Sequence, residues 1–360
     1  MSCISRLELH HLRNIRELSI EPSPAINLIY GDNGSGKTSI LEAIYLLGLG
    51  RSFRSTRLDS LIQWEQEEAV VFASLADGAS LGVRKSKRLG HSLKINGEQQ
   101  RGWLELARIL PLQLLNSDAF QLLEGSPRQR RRFLDWGVFH VEHDFILHWR
   151  GAAKCLAQRN LLLKQGRFEL SELQAWDLEF SRLAEEVDQA RRRYFEAFLP
   201  YFQSTLQALL PRHELELFYY RGWDESKALL EALSDSRERD RRYGASQIGP
   251  QRADIRFRLG GRDAAESLSR GQQKMVVSAL KIAQGHFLSV ETGLKGLYLL
   301  DDLPAELDSS ARALVCSLLE EMGCQVFLSC VDPAQLEGAW SGELIARKFH
   351  VEHGKIRPGQ

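Results

Sequence analysis

Apolar and polar positions alternate along residues 4–9, the register of a half-buried β-strand. Leu12-Arg13-Asn14-Ile15 reads as a turn, and residues 17–20 as a second short strand. Ile26-Asn27-Leu28-Ile29-Tyr30 is nearly continuous in apolar character, which predicts a short buried strand. Helical spacing follows at Ile40, Leu41, Ala43, Ile44 and Leu47, predicting a helix over residues 39–47 that Gly48 and Gly50 end. Residues 69–75, 80–85 and 93–95 predict a β-meander, and Asn96-Gly97 marks a tight hairpin after it. Residues 109–116 form another apolar strand.

From about residue 118 to 242 the pattern is largely helical. Ser126 and Pro127 read as an N-cap and a first helical position. One long helix covers residues 144–164 and is broken by Gly166. A second starts at Ser171, with Gln174 three residues on as a capping box. Its apolar positions, Leu173, Trp176, Phe180, Leu183, Val187, Ala190 and Tyr194, alternate in steps of three and four. That is a coiled-coil-like seam, expected to run about 25 residues. Arg191, Arg192 and Arg193 fall on its polar faces, and Pro200 and Pro211 bracket a further helix. Residues 213–220 alternate as the one strand of this region. A charged return, 236–243, precedes a turn at 248–254 and a strand at 255–259 ended by Gly260-Gly261. A helix over 275–287, an apolar strand over 296–300, a helix over 312–322, a strand over 325–330 and a hairpin over 349–356 complete the chain. The expected architecture is an α/β head formed by residues 1–117 and 246–360, with flanking helices on a mixed sheet. A helical arm, residues 118–245, is inserted into it.

The strand at 26–30 and the helix after it enclose Gly31-Asp32-Asn33-Gly34-Ser35-Gly36-Lys37-Thr38, which meets every fixed position of G-x-x-x-x-G-K-[ST]. Glycines let the backbone turn its N–H groups toward a phosphate chain, and the helix N-terminus beginning near Ser39 adds positive potential there. Lys37 is placed to reach the β- and γ-phosphates of ATP, and the Thr38 hydroxyl to hold Mg²⁺. Arg13 and Asn14 precede the loop and are candidates for the same site, with a solvated turn an equal alternative. Gln113, in the middle of its strand, is a candidate sensor of Mg²⁺ or water, although an edge position explains it better.

A second anion site is predicted where Ser269-Arg270-Gly271-Gln272 opens a helix. Soon after, the apolar strand ends in Asp301-Asp302, a Walker-B pattern. Asp301 is expected to hold Mg²⁺, and Asp302 to orient or deprotonate the attacking water. Lys37 and Ser269 lie about 230 residues apart. A phosphate chain held by Lys37 leaves little room for a second helix terminus of the same subunit. Two ATP molecules shared across a two-fold homodimer interface satisfy both loops.

Composition changes this picture little. Lys plus Arg and Asp plus Glu both total 47, so any nucleic-acid surface must be a local patch. Gly50-Arg51-Ser52-Phe53-Arg54 is a basic turn, while the tip residues Lys85, Lys87 and Arg88, usually a solvated charge run, and the crowded Arg128, Arg130, Arg131 and Arg132 are the places to look. For the last group, phosphate contact and internal pairing with Glu124 or Asp135 are equally open. Five cysteines with no C-x-x-C pair point to reduced thiols in a cytoplasmic protein. No signal-peptide core or membrane-length apolar run is present, so no membrane partner is expected.

Taken together, these pieces resemble the ABC-type ATPase heads of the SMC and RecF families. The residues that carry the resemblance are Leu12-Arg13-Asn14, the loop 31–38, and Gly125-Ser126-Pro127 with Arg130-Arg131-Arg132-Phe133-Leu134-Asp135. Further matches are Gln158-Arg159-Asn160, Gly249-Pro250 with Arg252 and Asp254, Ser269-Arg270-Gly271-Gln272, and Asp301-Asp302 with Glu306-Leu307-Asp308. The resemblance implies ATP-dependent dimerisation, DNA binding and a weak ATPase acting as a switch. It also implies a role in loading the RecA recombinase at single-strand gaps with RecO and RecR, in replication-fork maintenance and in the SOS response. Gln251 stands where the family often has His. No histidine closely follows Cys330, where transporter ATPases keep one, which implies slow hydrolysis or a different sensor. An ABC-transporter ATPase subunit is the alternative, disfavoured by the long helical insert. A P-loop kinase or metabolic enzyme leaves the Ser269 loop without a purpose, and a nuclease lacks a further acidic cluster.

Overall fold

In the computed structural model, which describes residues 3–166, 168–336, 338–340 and 346–357, the N-terminal alternation becomes a strand pair. β1 (Ile4–Leu12) folds back on β2 (Ile15–Ile20), and the turn between them places Arg13 at φ +54°. β3 (Ile26–Tyr30) runs into the loop that opens α1 (Lys37–Leu49). The meander follows as β4 (Glu68–Leu75), β5 (Ser80–Ser86), β6 (Gly90–Ile95) and β7 (Glu98–Gln100), joining β1 and β2 in the sheet order β2-β1-β4-β5-β6-β7. Lys85 lies inside β5 and pairs with Asp59 at 2.9 Å, so only Lys87 and Arg88 occupy the tip. α1 runs through Gly48, which lies close to the Leu110 carbonyl, and ends at the left-handed Gly50. α2 (Leu104–Ile109) then leads into β8 (Leu112–Leu115), so the strand expected from residue 109 begins three residues later.

The second sheet carries the chemistry. The chain re-enters it after α8 (Arg270–Thr292) with β12 (Leu297–Leu300), β13 (Val326–Cys330), β14 (Ala346–Glu352) and β15 (Lys355–Arg357), between which lie α9 (Leu303–Glu306) and α10 (Ser309–Glu321). The order is β15-β14-β3-β13-β12-β8, with every pairing parallel except β14 with β15. Parallel central strands have both faces covered, which is why β12 and β13 are wholly buried and read as apolar runs, β13 interrupted only by Ser329. Ile29, Ile40, Ile44, Leu299 and Phe327 join the β1–β4 side chains in one apolar core. These elements belong to a unit made of Met1–Phe120, Thr205–Pro211 and Arg270–Gln360.

The other unit is Gln121–Ser204 with Arg212–Ser269. It holds α3 (Pro127–Val141), α4 (Phe145–Gln165), most of α5 (Leu170–Leu209), β9 (Leu215–Tyr220), α6 (Leu229–Tyr243), β10 (Asp254–Leu259), β11 (Arg262–Asp263) and α7 (Ala264–Ser267). The sequence ended the arm at residue 245. Here β10 pairs with β9 over six residues, and residues 246–269 therefore fall in this unit.

α5 departs from expectation in three ways. It begins at Leu170, one residue before Ser171, so Ser171 lies inside the helix and the capping box does not form. It also runs 40 residues, through Pro200, rather than about 25. A mid-helix proline costs about 3 kcal/mol. The seam continues across it in the buried Phe198, Phe202, Leu206 and Leu209, each worth about 1.5–3 kcal/mol. Finally, Arg191 is not solvated. It is buried in a two-pronged pair with Asp135, at 2.8 and 3.0 Å, and donates to the Pro250 carbonyl.

A buried polar knot ties the helices of this unit. Fully buried Arg159 on α4 pairs with Asp177 on α5 at 2.6 Å and with Asp240 on α6 at 2.8 Å, and donates to Ser246 Oγ. Asn160 accepts from the Ser246 amide and hydroxyl. The arginine crowding at 128–132 also resolves. Arg130 pairs with Asp254, at 2.7 and 3.0 Å, and Arg131 donates to the Ala253 carbonyl. Neither takes Glu124 or Asp135, the acids the sequence offered. Ser126 caps α3 by backbone shape, with no side-chain hydrogen bond.

Candidate phosphate-binding site

β3 and β12 are separated in the sheet by β13 and end on the same side, because the strands are parallel and in register. This brings the loop 31–38 to Asp301. Thr38 Oγ1 donates to Asp301 Oδ1 at 3.1 Å, although the two residues are 263 apart in the chain. Ser329, at the end of β13 between them, donates to the same oxygen at 2.7 Å and accepts from the Asp302 amide at 2.9 Å. The cluster is largely buried, and that burial raises the Asp301 pKa, opposed by the two hydroxyl hydrogen bonds. Asp302 leaves the strand in the left-handed region, φ 52° and ψ 44°, and its side chain is exposed. Ser329 is the member that sequence reading missed. Its signal was a hydroxyl in an otherwise apolar strand.

Lys37 is folded back into its own loop, its Nζ donating to the Gly31 carbonyl at 2.7 Å and the Asp32 carbonyl at 2.9 Å. Burial lowers its pKa, while Asp302, Cys330, Asp301 and Asp32 act in the opposite direction. An ammonium held among carbonyls and partly stripped of water is suited to an anion. The Ser35 hydroxyl is buried without a hydrogen-bond partner, a second polar group facing the loop with nothing to satisfy it. Thr38 and Asp301 offer a hydroxyl and a carboxylate, the oxygen donors a hard divalent cation takes. The loop therefore fits a polyphosphate and its Mg²⁺.

Asn14 and Arg13 do different work. Asn14 Nδ2 donates to the Gly34 carbonyl at 3.0 Å and its Oδ1 accepts from Ser39 at 3.0 Å, clamping both ends of the loop. Arg13 grips buried Glu42 on α1, at 2.7 and 2.9 Å, and the Ser60 carbonyl. Its guanidinium is engaged with the scaffold rather than turned toward a ligand. Glu42 also accepts from Ser52 Oγ, which in turn receives the Arg54 and Ser55 amides. This relay fixes the basic turn after α1, where Arg54 lies close enough for its charge to act on Asp301. Gln113 belongs elsewhere. It is buried, sits opposite Tyr298 in register, three residues before Asp301, and donates to Gln284 at 2.9 Å. Its edge strand keeps it about 10 Å back from the strand ends where the phosphate loop lies.

The C-terminal hairpin is the support that sequence reading did not anticipate. The Gly354 amide donates to the Ser35 carbonyl at 2.7 Å, and His350 stacks on Tyr30, ring centroids 4.9 Å apart. Gly31, at φ +142°, lies so close to β14 that an added Cβ would stand 2.2 Å from the Val351 carbonyl oxygen. Gly354, at φ +74°, leaves a Cβ only 2.3 Å from the Asn14 carbonyl oxygen. Gly354→Ala is therefore expected to displace the loop and weaken ATP binding by about tenfold or more, with the circular dichroism of the fold retained. Unchanged affinity in a calorimetric titration would show that the hairpin does not hold the loop.

Ser269, Arg270 and Gly271 are exposed at the start of α8. One turn further, Lys274 reaches Glu306 just after the Asp301-Asp302 corner, donating to its carbonyl at 2.8 Å and pairing with its carboxylate at 2.7 Å. The first turn of α8 is thus tied to the segment leaving the acidic strand. The five cysteines are buried and unpaired, and no described helix is long and apolar enough to cross a membrane.

Comparison with known proteins places this geometry. The profile of the RecF/RecN/SMC N-terminal domain family matches residues 3–357. The chain is 49% identical over 357 residues to the DNA replication and repair protein RecF of Pseudomonas aeruginosa, covering 98% of this chain and 97% of that one. It is 50% identical over the same length to the protein of that name from Pseudomonas fluorescens, with the same coverage. Among solved structures, the recombination mediator protein RecF with ATP in the RecFOR pathway superposes with a TM-score of 0.87 at 23% identity, over 99% of this chain and 98% of that one. An SMC head bound to the C-terminal winged-helix domain of ScpA gives 0.61 at 18% identity, over 99% and 96%.

Proposed function

Because the chain belongs to the RecF/RecN/SMC N-terminal domain family, we propose that it acts in DNA replication and repair as an ATP-gated, DNA-binding switch. The observation that carries the reading is the Thr38–Asp301 hydrogen bond, which joins the phosphate loop to the acidic strand end. ATP supplies a cleavable phosphoanhydride, and Mg²⁺ spreads its developing charge. In this reading Lys37 and the loop amides hold the phosphates, while Thr38 and Asp301 hold the cation. Asp302 takes up a proton from water, and Arg54 adds positive charge beside them. Asn14 and the C-terminal hairpin keep the loop in shape.

Ser269 to Gln272 then act on the ATP of a second copy. The exposure of Ser269, Arg270 and Gly271 at the start of a long helix suits contact with a partner, and Lys274–Glu306 ties that helix to the hydrolytic corner. ATP closes the homodimer, DNA is held while it is closed, and slow hydrolysis releases it. RecR and RecO are the partners through which such a clamp would help to load RecA at gaps, in the cytoplasm. The transporter reading is not favoured, since relatives matched over nearly their whole length are DNA replication and repair proteins.

Ser269→Ala and Arg270→Ala are expected to leave ATP affinity within about twofold and to abolish ATP-induced dimerisation. Normal dimers from both variants would rule out the two-fold sandwich. The direct test of the whole reading is sedimentation with and without ATP, then with a gapped duplex. A monomer–dimer shift only with ATP, and tighter DNA binding in that dimer, is the expected result. A chain that stays monomeric with ATP and hydrolyses it regardless of DNA would refute it.

A further inference from the structure

The helical unit has a cleft of about 330 Å³ that the proposed switch does not use. That size falls at the lower end of small-ligand sites. Arg128, Arg131 and Arg132 are among its lining residues. At spacings of three and four on α3 they share a face, while Arg130 turns away to Asp254. Asp135 is the single acid among the lining residues, and it is already engaged by Arg191 and by Trp149 Nε1 at 3.2 Å. Arg128 has no ion-pair or hydrogen-bond partner among the described residues. Burial and the neighbouring Arg191 charge both lower the Arg131 pKa. The cleft therefore carries a local positive excess in a chain whose net charge is zero.

The lining also includes the apolar side chains of Trp149, Leu156 and Phe180. Trp149 is 40% exposed although it is a large aromatic. Gln251 completes the lining. Its Nε2 donates to the Ile248 carbonyl at 2.6 Å, which leaves Oε1 buried with no partner. The exposed face of Trp149 suits the flat face of a base. Three guanidinium groups converging on one helical face suit one compact multiply charged phosphate better than the spaced carboxylates of a peptide.

We propose that this cleft binds a single nucleotide, its phosphate on Arg128, Arg131 and Arg132 and its base against Trp149. The nucleotide is either free or one unit of a DNA strand. The site lies wholly within the helical unit and does not depend on the phosphate loop.

The test uses full-length protein carrying Lys37→Ala, which disables the phosphate loop. It is titrated by calorimetry with deoxyadenosine 5′-monophosphate, deoxyadenosine, inorganic phosphate, a 5′-phosphorylated single-stranded dodecamer, and a pentapeptide of four aspartates ending in phenylalanine. One site for the mononucleotide is expected, weakened about tenfold or more by Arg128→Glu and by Trp149→Ala, with nucleoside and phosphate each at least about tenfold poorer. Arg128 is exposed and unpartnered, so its substitution leaves the fold intact. Dodecamer binding that is tighter, and equally sensitive to Arg128→Glu, identifies the strand as the source; mononucleotide binding at least as tight identifies a free ligand. The proposal is overturned if neither nucleotide form binds, if both substitutions are silent, if phosphate alone binds as well as the mononucleotide, or if only the acidic peptide responds to Arg128→Glu.

Discussion

Lys37→Ala is expected to weaken ATP binding by about two to three orders of magnitude. The lysine offers charge-assisted hydrogen bonds to two phosphate oxygens, each worth about 1.5–3 kcal/mol, in a loop that is partly dry. The fold should not suffer. Without an anion the ammonium is held by two loop carbonyls, and burial already disfavours its charge. The clearest readout is thermal unfolding. ATP at a hundredfold excess over its dissociation constant stabilises a protein by about 2.7 kcal/mol. The wild-type midpoint should therefore rise with ATP, and the variant's should stay level. A variant that ATP still stabilises to the same degree would move the nucleotide site away from this loop.

Asp302→Asn should reduce ATP hydrolysis by about 10²- to 10⁴-fold, the usual contribution of a general base, while ATP still binds. The substitution is clean for a structural reason. Asp302 sits at φ 52°, and asparagine tolerates that left-handed backbone as well as aspartate does. Its backbone amide, not its carboxylate, makes the hydrogen bond to Ser329. Only the proton acceptor is lost. Phosphate release should fall, and sedimentation should show an ATP-bound dimer that persists. Asp301→Asn is a poorer probe, because Asp301 Oδ1 receives both Thr38 and Ser329, so the substitution changes the charge of a buried hydrogen-bonded cluster rather than of an exposed side chain. Unaltered phosphate release by the Asp302 variant would place the base elsewhere.

Much of this site was legible in the chain. The loop 31–38, the acidic pair 301–302 and the apolar strands that carry them announce themselves by composition over a few residues. The same holds for the hairpin at Asn96-Gly97 and the left-handed end of α1 at Gly50. These are local facts, in which backbone shape and side-chain period act over one or two turns. Some local signals gave way when burial opposed them. Pro200 failed to end α5 because the seam on either side of it is buried, and Ser171 failed to cap it because the helix starts a residue earlier.

Only the tertiary structure decided which groups meet. Parallel pairing of β3, β13 and β12 brings Thr38 and Asp301 together across 263 residues, with Ser329 between them, and no short window contains that distance. The fold also gives Arg13 to Glu42, Arg191 to Asp135 and Arg130 to Asp254, separating arginines that look alike in the sequence into scaffold and free charge. It sets the C-terminal hairpin against the phosphate loop, where Gly31 and Gly354 are needed for close approach. The sequence by itself determined the elements and the chemical groups on offer, since propensity and motif are short-range. Their partnerships were left to the three-dimensional fold, since ion pairs and buried hydrogen bonds depend on which surfaces lose water together.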